Sequence, residues 1–275
     1  MKVVVVGATG LIGSRTVARL RDHGVQVAEA SRSAGVDVST GEGLDQALRG
    51  AEIVVDVTDA PSREERVSTK FFIASTNNLL KAAAAAGVEH YVALSVVGAD
   101  RVSSGYFRAK AAQESLARHA PVPYSLVRAT AFFESVEATT LTGIRPDGVR
   151  VPPLVLRPVA TDDVATAVAH TAVGLPRFGV LEVAGPEELR LVDAAAELLD
   201  VRGLPGPVIA DARAHFFGAV LPERALLPTA DARLGHHRFT DWLKSHRSSS
   251  QRGAADRDPH RSPSDAQAPS LRQES

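Results

Sequence analysis

The chain opens on a run of four valines that leads directly into a glycine-rich turn, MKVVVVGATGLIGSR. Four consecutive β-branched residues predict a strand buried on both faces, which is typical of a parallel sheet covered by helices on each side. Gly7, Gly10 and Gly13 follow this strand and precede a segment with helical spacing. A phosphate can approach the first backbone amides of such a helix only where side chains are absent. The opening therefore predicts a dinucleotide-binding loop, with a merely structural turn as the alternative.

Short β-branched runs alternate with segments rich in alanine and leucine along the first half of the chain. This alternation predicts an α/β fold, a doubly wound parallel sheet (Rossmann fold), in residues 1–131. Residues 132–245 have fewer elements and longer loops, which predict a smaller C-terminal substrate-binding cap interleaved with the core. Residues 246–275 almost lack large apolar side chains and are predicted to form a disordered tail. The expected helices lie at residues 14–22, 43–48, 68–86, 107–119, from about 161, and at about 189–199.

The bulk composition excludes several classes of function. The charges almost cancel, with 31 Lys and Arg against 32 Asp and Glu, so the chain lacks the basic surface that nucleic-acid binding requires. It contains no cysteine, and the adjacent His236 and His237 have poor geometry for one ion, so no metal is expected. The start is unlike a signal peptide, and no apolar run approaches the roughly 18 residues of a membrane span. We expect a cytoplasmic monomer or homodimer whose partner is a small-molecule substrate, with no nucleic acid and no membrane.

The end of the second predicted strand, VAEASRS, distinguishes between two forms of the nucleotide. A site for NAD usually carries an acid about 20 residues after the glycine loop, where it bonds the ribose 2′-hydroxyl. Ser31 and Arg32 stand at this position instead, and both side chains can hydrogen-bond a 2′-phosphate. Glu29, two residues earlier, would have to turn toward the ribose to favour NAD. The sequence favours NADP(H) over NAD(H), with a solvated surface arginine as the alternative for Arg32.

Three polar residues form a candidate catalytic set. Ser95 stands at the end of the strand HYVALSV, and Tyr106 and Lys110 follow in GYFRAKAAQESL. A separation of four residues puts Tyr106 and Lys110 on one helix face, so the ammonium can lower the pKa of the phenol and bond the nicotinamide ribose. Such a phenol can protonate a carbonyl oxygen that Ser95 holds in place while hydride arrives. The alternative is a chance pattern in which Tyr106, at the helix edge, faces solvent or a neighbouring loop.

The spacing G-x-x-G-x-x-G in GATGLIG resembles the loop of extended and atypical short-chain dehydrogenases/reductases (SDRs), and Ser95 with Tyr-x-x-x-Lys resembles their catalytic set. The chain is most similar to the NmrA-like subgroup of NAD(P)-binding proteins. YFRAKAAQESL, PYSLVRATAFFES and RPVATDDVATAV occur in the order and approximate spacing of that family, so the resemblance covers about residues 2–243. It implies an NADPH-dependent reductase of a small carbonyl or quinone-like compound. A redox sensor that binds NADP(H) without turnover and signals to a protein partner is the alternative.

The resemblance implies further contacts with the cofactor. Asp37 and Val38 match the position at which the family contacts the adenine, and Val57 and Thr58 match the strand end where its backbone passes the cofactor. Each pair could equally be an ordinary strand end. Lys110 is expected beside the cofactor, because the subgroup usually keeps this lysine even where its tyrosine is displaced. The glycine loop is expected to supply the remaining contacts: Gly7, Ala8, Thr9, Gly10, Leu11, Ile12 and Gly13.

The substrate side is expected after the strand YSLVRA and in the cap. By resemblance, Thr130 borders the nicotinamide, and Phe132 and Phe133 open toward substrate, although one of the two phenylalanines is expected in the core. His215 could reach the pocket mouth, with a packed histidine as the alternative. The phenylalanines that follow it, at 216–217, fit an apolar pocket.

Overall fold

The computed structural model of the protein describes residues 1–245, so the predicted tail at 246–275 lies outside the described residues. The strands are, in chain order, β1 (Lys2–Val6), β2 (Gln26–Ala30), β3 (Ile53–Asp56), β4 (His90–Val96), β5 (Tyr124–Ala129), β6 (Ile144–Arg145), β7 (Gly148–Val151), β8 (Val155–Leu156), β9 (Val180–Ala184), β10 (Leu189–Arg190), β11 (Val208–Ala210) and β12 (Arg233–Leu234). The helices are α1 (Leu11–Asp22), α2 (Leu44–Ala47), α3 (Glu65–Ala85), α4 (Gly105–His119), α5 (Phe133–Thr142), α6 (Thr161–Val173) and α7 (Leu191–Arg202).

Seven strands form the central sheet, in the order β12-β9-β5-β4-β3-β1-β2, and every neighbouring pair is parallel. The chain runs from β1 to β2 in one direction and then returns to place β3 on the other side of β1. The order therefore reverses between β1 and β3, and open α/β sheets bind ligands in the crevice at such a reversal. The predicted doubly wound parallel sheet is confirmed.

The four valines of β1 explain why this sheet is buried on both faces. Val3 and Val5 belong to the hydrophobic cluster of α1 and α6, whereas Val4 and Val6 belong to the cluster that includes α2, α3 and α4. All four side chains are at most 1 % exposed. Because successive side chains of a strand point to opposite faces, helices on both faces require a continuous apolar run.

The C-terminal part of the chain divides between the central sheet and a second layer. α6 packs against α1, and β9 and β12 extend the sheet beside β5. α5, α7 and the three-stranded sheet β11-β7-β6 pack with the loop after β11 in a separate hydrophobic cluster. Residues 132–245 thus contribute both to the sheet and to a layer beside it.

Some elements differ from those predicted. α1 begins at Leu11 and α3 at Glu65, each three residues before the predicted start, and residues 189–190 pair as β10 before α7 begins. α5 was not predicted, because its sequence FESVEATTLT is rich in threonine, which has a modest helix propensity. Its helical conformation is stabilised by packing, since Phe133, Val136 and Thr140 are buried on one face.

Candidate active site

A cleft of about 800 Å³ opens along the carboxyl ends of the central strands, where the strand order reverses. Its volume lies in the range of natural ligand pockets. The glycine loop borders one part of the cleft, and α4, α5 and the loop at 215–218 border another. Most of the predicted site residues line it: Gly7, Thr9, Gly10, Leu11, Ile12, Ser31, Arg32, Asp37, Val38, Val57, Thr58, Ser95, Tyr106, Lys110, Thr130, Phe132 and His215.

The glycine loop between β1 and α1 leaves room for a diphosphate. Gly7 has a φ of +84°, and a Cβ there would lie 3.0 Å from the Val57 carbonyl oxygen, so a side chain is excluded. α1 starts after Gly10 without a side-chain cap, and its first turn contains no acidic residue. The backbone amides at this helix end are therefore available to an anion, which the helix dipole also favours. These residues fit the diphosphate of a dinucleotide.

Two residues of the predicted loop lie behind the cleft wall instead of lining it. Ala8 is 1 % exposed. A Cβ on Gly13 would overlap the carbonyl oxygen of Gly7, so the absence of a side chain at Gly13 lets α1 pack closely against the loop. Both residues shape the loop from behind and present no side chain to a ligand.

Phe133 does not line the cleft, and its predicted contact with substrate is corrected. It is 1 % exposed, and its ring packs 5.4 Å from that of Phe239 and 5.7 Å from that of Trp242. The neighbouring side chain of Phe132 borders the cleft. Consecutive side chains at the start of a helix point in different directions, so one phenylalanine enters the core and the other faces the cleft.

The end of β2 presents an arginine to the cleft and turns its acid away. Ser31 and Arg32 border the cleft where a short 3-10 helix begins. Among the residues that the structure describes, the Arg32 side chain forms no hydrogen bond or ion pair. Glu29 accepts a hydrogen bond from Arg21 of α1 at 2.8 Å and does not line the cleft. The acid that would have favoured NAD is therefore paired elsewhere.

Tyr106 lines the cleft at the start of α4, but its hydroxyl has a partner within the protein. It donates a hydrogen bond to Asp59 Oδ1 at 2.8 Å, and the guanidinium carbon of Arg63 lies 4.3 Å from the ring centroid. Burial, followed by the negative charge of Asp59, raises the pKa of Tyr106 well above its usual value. The prediction that the pKa of this phenol is lowered is wrong, because burial and the Asp59 carboxylate, which accepts the hydrogen bond of the phenol, both oppose its ionisation.

Lys110 is 2 % exposed and is held by two acceptors. Its ammonium donates to the Leu94 carbonyl oxygen at 2.6 Å and to Gln113 Oε1, and it lies 4.1 Å from the centroid of the Phe72 ring. Gln113 in turn donates to Asp56 Oδ2 at 2.9 Å. Burial lowers the pKa of Lys110 to about 8, although nearby carboxylates, led by Asp56, oppose the shift. Because an ammonium has three N–H donors, one remains for a ligand in the cleft.

Ser95, the last residue but one of β4, lines the cleft, and its hydroxyl also has a partner within the protein. It donates to Glu114 Oε1 at 2.6 Å, and Arg128 donates to both oxygens of the same carboxylate. Burial would raise the pKa of Glu114, but the hydrogen bonds from Arg128 and Ser95 hold it below its usual value. Since an ionised carboxylate only accepts, the Ser95 proton points at Glu114 and not into the cleft. The expected hydrogen bond from Ser95 to a carbonyl oxygen is not preformed.

Three charged residues that line the cleft were not predicted: Glu134 of α5, Asp59 and Arg63. Asp59 and Arg63 occur in the segment DAPSR after β3, and the guanidinium donates to both carboxylate oxygens at 2.7 Å. One signal was available, because both residues follow a strand at the edge where open sheets place ligand-binding groups. Their contact with Tyr106 joins segments far apart in sequence, so no local pattern indicated it.

Aromatic side chains border the cleft near Tyr106. Phe71, Phe132 and Phe217 line it, and His215 lies on the same loop as Phe217. Phe216, the other member of the predicted aromatic pair, is 1 % exposed and belongs to the core. The wall is therefore suited to a flat, partly apolar ligand.

The Thr130 hydroxyl donates to the Arg157 carbonyl oxygen at 2.5 Å, which fixes the segment after β5 beside the cleft.

Within residues 1–245, no helix has the length and apolar character needed to cross a membrane. In the same residues, His, Asp and Glu side chains form no group of three that could hold a metal ion.

Comparison with known proteins assigns the chain to a family. A family model described as NAD(P)H-binding matches residues 7–172, which is more than half of the chain. The chain is also 31 % identical over 223 residues to the (4-alkanoyl-5-oxo-2,5-dihydrofuran-3-yl)methyl phosphate reductase of Streptomyces griseus, a match that covers 74 % of each protein.

Solved structures share the fold at lower identity. A UDP-glucose 4-epimerase from Thermotoga maritima has a TM-score of 0.71 at 17 % identity, and the match covers 92 % of this chain and 100 % of that one. An NADPH-dependent quinone oxidoreductase from Escherichia coli has a TM-score of 0.57 at 20 % identity, with 77 % and 78 % covered. The chain therefore belongs to the NAD(P)H-binding family and is an NAD(P)-dependent oxidoreductase.

Proposed function

We propose that this protein is an NADPH-dependent reductase of a small conjugated carbonyl compound, such as a quinone or an enone. One observation carries the proposal: both hydroxyls expected to serve a carbonyl oxygen donate to carboxylates instead. Tyr106 donates to Asp59 at 2.8 Å, and Ser95 donates to Glu114 at 2.6 Å. Neither hydroxyl directs a proton at a substrate oxygen.

The state of these hydroxyls favours one class of acceptor over another. Hydride addition to an isolated ketone or aldehyde produces an alkoxide, which is too basic to form readily without a proton donor. Hydride addition to a quinone or enone spreads the negative charge over the conjugated system and produces an anion whose oxygen is less basic than that of an alkoxide. Such an anion can take its proton from water after release. The raised pKa of Tyr106 acts in the same direction, because a phenol beside Asp59 resists the loss of its proton.

Different residues that line the cleft would bind different parts of the cofactor. Bound NADPH would supply the hydride. The amides at the start of α1 would hold its diphosphate, and the remaining N–H of Lys110 would bond the nicotinamide ribose. Arg32 is available for the 2′-phosphate, and the pairing of Glu29 with Arg21 removes the competing acid. This arrangement supports NADPH over NADH.

The names of similar proteins support the substrate class. The Streptomyces griseus relative is named for a substrate with a 5-oxo-2,5-dihydrofuran ring, in which a carbonyl adjoins a ring double bond. The Escherichia coli protein is named a quinone oxidoreductase. We assign the substrate to the end of the cleft bordered by the cap, where Phe132 and Phe217 would pack against a flat ring.

A screen of acceptors tests the proposal. Oxidation of NADPH by the purified protein is followed with naphthoquinone and cyclohexenone, and compared with cyclohexanone and benzaldehyde. We expect turnover with the conjugated acceptors, and we expect Tyr106→Phe to retain most of it. Tyr124→Phe is the matched control, because its hydroxyl bonds the Phe178 carbonyl oxygen outside the cleft.

Two results would contradict the proposal. Reduction of benzaldehyde that falls about a hundredfold in Tyr106→Phe would identify this tyrosine as a proton donor to an isolated carbonyl. Tight NADPH binding without turnover of any acceptor would instead favour the redox sensor.

A further inference from the structure

Arg63 places a guanidinium at the cleft that binds neither the cofactor nor the substrate in the function proposed above. Its guanidinium carbon lies 4.3 Å from the centroid of the Tyr106 ring and 5.0 Å from that of Phe217. Its side chain is 43 % exposed and borders the cleft. The guanidinium therefore packs against both rings, which contact each other at 5.7 Å between centroids, and the exposed part of the side chain remains accessible to a ligand.

A strained turn at residues 216–219 holds this arrangement. Phe217 has a φ of +52°, in the left-handed region that bulky residues rarely adopt, and its carbonyl oxygen accepts a hydrogen bond from the Tyr106 amide at 2.9 Å. A Cβ on Gly218 would lie 2.6 Å from the Arg63 carbonyl oxygen, so the turn packs directly on the Arg63 backbone. Strain of this kind persists only where the surroundings impose it, and it clusters at ligand sites.

The Asp59 carboxylate occupies only part of the guanidinium. It accepts one hydrogen bond from each terminal nitrogen, both at 2.7 Å. A guanidinium has five N–H donors in a rigid plane, so donors remain beyond those that the carboxylate accepts. Asp59 thus orients the Arg63 guanidinium and leaves some of its N–H donors available to a ligand.

We propose that Arg63 is a catalytic residue that stabilises the negative charge on the substrate oxygen during reduction. This inference rests on the proposed function. A new C–H bond forms with the hydride, the π electrons of the conjugated system move to the carbonyl oxygen, and NADPH becomes NADP⁺. The oxyanion meets the free donors of Arg63 in charge-assisted hydrogen bonds and takes a proton from water after release.

Other polar groups of the cleft are less suited to this role. The hydroxyls of Tyr106 and Ser95 donate hydrogen bonds to carboxylates, and Lys110 is 2 % exposed and already donates to two acceptors. His215 lines the cleft on the same loop as Phe217 and is the competing candidate. It is therefore included in the test.

Binding of 4-nitrophenol, whose phenolate is coloured, tests the inference without turnover. The full chain saturated with NADP⁺ is titrated with this probe across pH. We expect the wild type to bind the phenolate about tenfold more tightly than the phenol, because a cation within hydrogen-bond distance shifts a titration by about one unit or more. Arg63→Met should abolish the preference. Arg108→Met, which removes an exposed arginine paired with Glu65 outside the cleft, should retain it.

Turnover gives the second readout. Arg63→Met should lower kcat with naphthoquinone about a hundredfold, as expected for the loss of an oxyanion donor, with little change in the Kd of NADPH. Arg63→Lys keeps the positive charge and should lower the phenolate preference and kcat less than Arg63→Met does. If Arg63→Met loses NADPH binding, Arg63→Lys is used in its place.

The outcomes separate the two proposals. Full phenolate preference and full turnover in Arg63→Met overturn the inference and leave the proposed function standing, as does loss of the preference in His215→Gln instead. Phenolate preference that depends on Arg63 in a protein that reduces no conjugated acceptor supports the anion site and overturns the proposed function.

Discussion

Replacing Arg32 with alanine should weaken the binding of NADPH far more than that of NADH. Arg32 follows β2 and forms no hydrogen bond or ion pair within residues 1–245, whereas Glu29 is bonded to Arg21, so the Arg32 guanidinium is available to a 2′-phosphate. A hydrogen bond to a charged group contributes about 1.5–3 kcal/mol. Arg32 is exposed, and solvent screening places the loss at the lower end, about 1.5–2 kcal/mol. This corresponds to a rise of about 10- to 30-fold in the Kd for NADPH.

Isothermal titration calorimetry with both cofactors, at low and at high salt, measures the effect. Added salt should weaken NADPH binding to the wild type more than to Arg32→Ala, because exposed charge pairs are screened. Arg19→Ala is the matched control, since Arg19 is an exposed arginine of α1 that does not line the cleft. Equal losses of affinity for NADPH and NADH in Arg32→Ala would refute the reasoning, because NADH has no 2′-phosphate.

Three further predictions concern the cleft and its supports. The pKa of Lys110 is about 8, so its ammonium loses its proton as pH rises through that value, and the Kd for NADPH should increase between pH 7 and 9 by up to about tenfold; a flat profile in calorimetry would contradict this. Gln113→Met removes one hydrogen-bond acceptor of the Lys110 ammonium and should raise the Kd for NADPH about tenfold. Tyr91→Phe removes a hydrogen bond to Asp56 of β3, to which Gln113 also donates, and should leave this Kd unchanged. Phe133→Ala should lower the free energy of unfolding in urea by about 3–5 kcal/mol, and Phe132→Ala should lower it less while raising the KM for the acceptor.

Much of the fold could be predicted from local patterns. The valines of β1 require cover on both faces, and the glycines after them require a tight turn into a helix, so a short window of sequence determines the first βα unit. α5 could not be predicted in the same way. Its threonines favour helix only weakly, and its conformation depends on burial of Phe133 against the distant Phe239.

The site shows the same division between local and distant contacts. Gly7, the loop residues 9–12 and the pair Ser31–Arg32 were predictable, because a strand end and a helix start place them in the cleft. The Tyr-x-x-x-Lys spacing correctly put Tyr106 and Lys110 on one cleft wall. The spacing did not reveal that Asp59 accepts the hydrogen bond of the phenol, because Asp59 belongs to a loop 47 residues earlier in the chain.

Two hydroxyl–carboxylate–arginine groups reach the cleft, one with all three members lining it and the other only through Ser95, and their difference supports the catalytic assignment. In one, a hydroxyl donates to a carboxylate that an arginine holds: Tyr106, Asp59 and Arg63. In the other, the Ser95 hydroxyl donates to Glu114, and Arg128 donates to both oxygens of that carboxylate. Arg128 is 7 % exposed and pairs with Asp100 in addition to Glu114, so its guanidinium is enclosed and has more than one carboxylate partner. The side chain of Arg63 is 43 % exposed, lines the cleft and has a single carboxylate partner among the described residues. The enclosed arginine can only support the structure, whereas the exposed one can accept an anion, which is the role that we propose for Arg63.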